Sequence, residues 1–140
     1  MKSVLLGAKA KLILYVTSAT LWLSGALRLL LRWRASGDTY GEPAGAATCL
    51  QVHGAAAMLF LGLLGWLWGR HMEPGWAVRR RRASGLVLVL ACVALAATGW
   101  GLYYLPDDRG RPWAGGIHRW LGLGAPLALV WHLVTRRKNG

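Results

Sequence analysis

Four long apolar runs without a single Asp or Glu constrain this chain more than any other feature. They extend from Leu12 to Leu31, Ala46 to Trp68, Gly85 to Leu105 and Ile117 to Val134. Each has about the length that a helix needs to cross a hydrocarbon core of roughly 30 Å. The fourth is the least apolar, because it carries His118, Arg119 and His132. The 140 residues are 55% hydrophobic and only 16% charged, whereas a soluble domain is about 25% charged. A soluble globule is therefore disfavoured, and so much apolar residue excludes disorder. The intervening segments, 35–43, 72–82 and 106–112, hold Gly, Pro and half of the charged residues. Loops this short make successive helices antiparallel neighbours. The expected fold is all-α: an integral membrane four-helix up-and-down bundle, a single domain with no internal repeat.

The net charge of +12 raises the question of nucleic acid, and the positions of the basic residues answer it. Lys2, Lys9, Lys11, Arg70, Arg79 to Arg82, Arg136, Arg137 and Lys138 fall on one side of the expected topology. Arg28, Arg32, Arg34, Arg109, Arg111 and Arg119 fall on the other, with the acids Asp38, Glu42, Asp107 and Asp108. The richer set faces the cytoplasm by the positive-inside rule, which puts both termini there. Most of the nine Trp lie near the ends of runs, as interfacial anchors do; Trp22 is the exception. The Arg79–Arg82 run suits anionic lipid head groups. No basic face with base-contacting side chains is evident, so nucleic acid is not an expected partner. The first run is longer than a signal core, and the basic stretch Leu27 to Arg34 follows it. It is expected to stay as a retained helix.

Ionisable or ligating side chains inside a membrane are functional suspects. The chain has four histidines, His53, His71, His118 and His132. A lone one is most simply a polar residue bonded across helices. Their arrangement says more. At about 100° and 1.5 Å per residue, His118 and His132 are separated by roughly 21 Å along one helix and only about 40° around it. Gly122 and Ala125 lie between them on that face and leave room for a flat macrocycle, and Pro126 is expected to kink the helix. His53 lies early in the second run, at the same outer depth as His118, with Ala56 and Ala57 one turn on. Opposed imidazoles in an apolar bundle suit haem iron bound on both sides. Zinc would want Cys or carboxylate help that the runs do not cluster. Cys49 and Cys92 are expected at opposite halves of the membrane, which disfavours a disulfide. The Cys-x-x-Cys-His attachment motif is absent, so any haem is non-covalent.

Gly99-Trp-Gly-Leu-Tyr-Tyr-Leu105, Ile117-His-Arg-Trp-Leu-Gly-Leu123 and Val130-Trp-His132, with Val52-His-Gly-Ala55 in the second run, carry a family resemblance. The chain resembles small four-helix membrane b-type cytochromes, namely formate dehydrogenase gamma subunits and the cytochrome b subunits of nickel–iron hydrogenases. The resemblance implies that His53 and His118 hold an outer haem b, and that His132 holds an inner one. It also implies a place in the bacterial inner membrane. In that family the inner partner lies on the first helix. Here the first run has no His; Lys11, Tyr15 and Ser18 occupy that region. His71 is the available substitute. It follows His53 by 18 residues, five full turns of a regular helix, about 27 Å down the same face. One or two haems are thus expected. Arg28 and Arg119 lie at the depth of the outer haem propionates.

The expected function is single-electron transfer between the quinone pool and a periplasmic or cytoplasmic redox protein, without independent catalysis. Two alternatives stand beside it. A small proton- or cation-coupled transporter would want intramembrane carboxylates, which the runs lack. A cofactor-free membrane anchor would use the histidines as interhelical hydrogen bonders. Ser18 and Ser24 sit in no nucleophile motif, so hydrolase chemistry is not expected.

Overall fold

The computed structural model describes residues 6–35, 41–77, 82–108 and 110–137. Among the described residues the regular structure is helical throughout. Helix α1 spans Ala8–Ala35 and α2 spans Ala46–Leu67; a π-helical turn, Trp68–Met72, joins α2 to the short α3, Glu73–Ala77. Helix α4 spans Arg82–Tyr104 and α5 spans Arg111–Arg137. The four long helices cover the four apolar runs to within one residue and extend past five of their eight ends. Three stretches are long and apolar enough to cross a membrane: Ala8–Ala35, Ala46–Ala77 and Arg82–Tyr104. Helix α5, with 27 residues, has ample length at about 1.5 Å per residue, but its histidines, glycines and terminal arginines dilute its apolar character.

The chain falls into two compact units, Met1–Pro74 and Gly75–Gly140, each built on one antiparallel helical hairpin. In the first, α1 pairs with α2: Leu31 approaches Gly45 at the loop end, while Gly25 meets His53 farther along. In the second, α4 pairs with α5, and the meeting points progress in order: Leu102 with Gly115, Gly99 with His118, Leu95 with Gly122, and Gly85 with His132. Small residues fill these seams. Ala46, Ala56, Ala114, Ser24 and Ser84 are buried, whereas no large side chain is fully buried among the described residues. Close approach through small residues is how helices pack where lipid removes the hydrophobic drive between them. The large apolar side chains point outward: Trp113, Trp120 and Leu127, seven residues apart along α5, are 76%, 74% and 74% exposed. An apolar ridge of that extent is unsuited to water and suited to lipid.

Local chemistry explains the element ends. Gly45, with φ of 81°, supplies the left-handed residue that turns the chain into α2. Pro74 explains the π turn. A proline cannot donate to the carbonyl four residues back, here that of Arg70, and its ring crowds that carbonyl. The helix widens, and the Glu73 amide donates five residues back to the Trp68 carbonyl. Helix α5 passes through Pro126 without a break in its span. Arg82, the described member of the basic run, donates from Nε and Nη2 to the Trp76 carbonyl at 3.1 and 2.8 Å and lies over the Trp76 ring. Its guanidinium is thus already engaged; Arg79 to Arg81, the rest of the expected lipid site, lie outside the described residues.

Candidate histidine site

Three of the four histidines each meet, at Nδ1, a hydroxyl of the neighbouring helix of their own hairpin. His53 Nδ1 lies 2.9 Å from the Leu21 carbonyl and 3.3 Å from Ser24 Oγ on α1. His118 Nδ1 lies 3.1 Å from the Leu95 carbonyl and 3.0 Å from Thr98 Oγ1 on α4. His132 Nδ1 lies 3.1 Å from Ser84 Oγ, also on α4. A glycine follows each of these hydroxyl residues, and in each case the imidazole lies against it. A Cβ added to Gly25 would sit 2.9 Å from His53 Cε1; one on Gly99 would sit 3.3 Å from His118 Cε1; one on Gly85 would sit 3.6 Å from His132 Cε1. The chain has four Ser-Gly or Thr-Gly dipeptides. Three face histidines, and the fourth, Ser36-Gly37, lies outside the described residues.

The bonding assigns the tautomer at two of these sites. Ser24 Oγ donates to the Thr20 carbonyl at 2.7 Å, and Thr98 Oγ1 donates to the Ala94 carbonyl at 2.7 Å. Each hydroxyl proton is spent on its own helix, so only a lone pair faces the ring. The Leu21 and Leu95 carbonyls can only accept. His53 and His118 must therefore donate from Nδ1–H, so in the neutral ring the lone pair is on Nε2. Nε2 is the nitrogen that a metal takes, and an Nδ1–H bonded to a carbonyl is the usual outer support of a ligating imidazole. His132 is held differently: the Ser84 hydroxyl also lies 3.4 Å from Thr135 Oγ1 and can serve as donor or acceptor to the ring.

The two hairpins share this device in register. His53 is the eighth residue of α2, and His118 is the eighth of α5. Leu-x-x-Ser/Thr-Gly, at Leu21 to Gly25 and Leu95 to Gly99, precedes Val52-His53 and Ile117-His118 respectively. The two hairpins therefore share a short local pattern around their histidines. It consists of a few residues on two separated helices, and only the helix pairing makes it visible.

Other expected features land in different places. His71 sits within the π turn. That turn takes up roughly one extra residue, worth about 100° of rotation, so regular five-turn spacing from His53 does not carry to His71. Gly122 packs toward Leu95 of α4, and Ala56 is buried, so these small residues serve helix contact rather than open space. Arg28 follows Ser24 by one turn of α1. Its Nη2 donates to Glu42 at 2.7 Å, while its buried Nε has no hydrogen-bond partner. Arg119 is exposed on α5. Arg111 pairs with Asp107 at the start of α5. Cys49 and Cys92 are free thiols. No cluster of three or more His, Cys, Asp or Glu is placed to hold a metal ion among the described residues; a haem, which brings four ring nitrogens, asks the protein for two ligands at most.

Compared with known protein families, with curated proteins and with solved structures, the chain matches none. The fold and the site define the class by themselves: an all-helical chain with three helices apolar enough to cross a membrane, and with imidazoles oriented from within its hairpins.

Proposed function

We propose that this protein is a membrane b-type cytochrome that carries single electrons through bis-histidine haem b, with His53 and His118 as the residues that would hold it. The observation that carries the reading is the pair of acceptor-only environments at Nδ1, the support that a ligating imidazole usually has. The donor set fits the group in a second way. The unpartnered, buried Nε of Arg28, one turn beyond Ser24, suits a propionate oxygen, and Arg119 on α5 is a further candidate. Haem supplies a one-electron couple. The chain would supply the two imidazoles and fix the plane of each ring through its Nδ1 bond. Held by two histidines, the group would favour electron transfer over oxygen activation.

In this reading all four long helices cross the bacterial inner membrane as an up-and-down bundle, with both termini cytoplasmic. The partners are the quinone pool and a periplasmic or cytoplasmic redox protein. A second haem would use His132, with His71 as its other ligand. One observation favours a second reading: the same histidines hydrogen-bond across helices, as they would in a cofactor-free anchor. Purification in detergent, followed by a pyridine haemochrome count and reduced-minus-oxidised spectra, separates the two. One protohaem per chain, lost in His53→Ala and in His118→Ala, is the expected result. A second haem is assigned by its loss in His71→Ala and His132→Ala. A preparation without protohaem, from cells supplied with haem, overturns the cytochrome reading and leaves the anchor.

A further inference from the structure

We infer that Ser24 and Thr98 are positioning residues: with the Leu21 and Leu95 carbonyls they fix the tautomer and ring plane of His53 and His118, and so set the electron-donating strength of Nε2. The inference rests on the haem reading for its effect on potential, but its structural half stands on the bonding alone.

The geometry separates this role from ordinary packing. A serine or threonine inside a helix commonly turns its hydroxyl back onto the carbonyl of the preceding turn. Ser18 does only that, donating to Leu14 at 2.7 Å. Ser24 and Thr98 do the same and in addition aim a lone pair at an imidazole. Each Nδ1–H then meets two neighbouring acceptors, a carbonyl and a hydroxyl. The adjacent glycine supplies the space that lets the ring approach so closely. The combination recurs on α1 and α4, on helices whose other residues are unlike, at the same position relative to the histidine. A single instance could be incidental. Two in register, both attached to the histidines that share a helix position, point to a common task.

The direction of the effect follows from charge. An acceptor at Nδ1–H draws that proton away and makes the ring more electron-rich. A more electron-rich Nε2 favours the ferric over the ferrous state and lowers the potential. Removing the hydroxyl weakens that pull, so the potential rises. The carbonyl remains as the second acceptor, so ligation is retained.

The test uses the full-length protein in detergent, with Ser24→Ala, Thr98→Val and, as control, Ser18→Ala. Redox titration is expected to show an upward shift in midpoint potential for the first two and none for the control. Ser24→Thr and Thr98→Ser, which keep the hydroxyl, are expected to restore the original value. Ring 15N spectra of the cofactor-free protein are expected to show Nδ1–H at both histidines. Ser24→Ala should move only the His53 resonances and Thr98→Val only those of His118. Should Ser24→Ala fail to accumulate, Ser24→Cys, with its weaker acceptor, provides the same comparison. A haem-loaded variant with unchanged potential, or a lone pair found on Nδ1, overturns the inference. A wild-type protein that binds no haem but shows both Nδ1–H tautomers overturns the proposed function and leaves the positioning geometry intact.

Discussion

Gly25→Ala should destabilise the first hairpin, by an amount that follows from where the new methyl group lands. Carbon atoms in contact rest about 3.5–4.0 Å apart. The added Cβ would lie 2.9 Å from His53 Cε1 and 3.1 Å from Nδ1. The ring must retreat by roughly half an ångström or more to reach that spacing. It is not free to do so cheaply, because its Nδ1–H is bonded to Leu21 at 2.9 Å. Forcing a methyl group into such a seam costs about 1–3 kcal/mol, and loosening the hydrogen bond adds about 0.5–1.5 kcal/mol. Alanine returns about 1 kcal/mol over glycine inside a helix. The net expectation is a loss of about 1–3 kcal/mol. Gly99→Ala brings its Cβ to 3.3 Å from His118 Cε1, so strain and helix preference should roughly cancel. Gly85→Ala meets His132 at an ordinary 3.6 Å and should be neutral or stabilising by up to about 1 kcal/mol. Unfolding in detergent by titration with dodecyl sulfate, followed by the helical circular dichroism signal, gives the three values. A Gly25→Ala protein as stable as Gly85→Ala would refute the close-approach geometry.

Three further outcomes are expected. Arg28→Gln should lower the haem-to-protein ratio, whereas Glu42→Gln should leave it unchanged and shift stability by less than about 1 kcal/mol, since their ion pair is part-exposed; absorbance per protein and the same unfolding titration check both. Pro74→Ala should convert the turn at Trp68–Met72 to regular α-helix, because the crowding at the Arg70 carbonyl disappears; amide contacts in NMR spectra of the detergent-solubilised protein would change from five-residue to four-residue spacing. Green fluorescent protein fused after Gly140 should fluoresce, and alkaline phosphatase fused there should be inactive, as a cytoplasmic C-terminus requires; active phosphatase would reverse the orientation.

The helices were legible because the apolar runs and the turn-rich charged segments are contiguous signals. The runs understate helix ends: α1 begins at Ala8 and α5 at Arg111, since polar residues continue a helix past its apolar part. The histidines were legible as suspects, because imidazoles among apolar residues stand out by type. Their partners were not. Ser24 lies 29 residues from His53 and Thr98 lies 20 residues from His118, and only helix pairing brings them together. The dipeptides Ser24-Gly25, Ser84-Gly85 and Thr98-Gly99 were a signal that could have been seen, but sequence spacing alone assigns each glycine to helix packing in general. Pro74 similarly announced a disturbed helix, and counting whole turns from His53 to His71 passed over it.

Composition and order along the chain therefore determined the helical class, the apolar spans, the hairpin connectivity and the identity of the candidate ligands. These are local or additive properties: burial preference, turn chemistry and charge asymmetry are summed residue by residue. Tertiary structure alone decided which nitrogen of His53 and of His118 carries the proton. That choice depends on two acceptors from a neighbouring helix converging on one proton within about 3 Å, and on a glycine whose missing methyl lets the ring reach them. Such a condition has no counterpart in any single stretch of sequence, because it is met only when two helices lie side by side in one register.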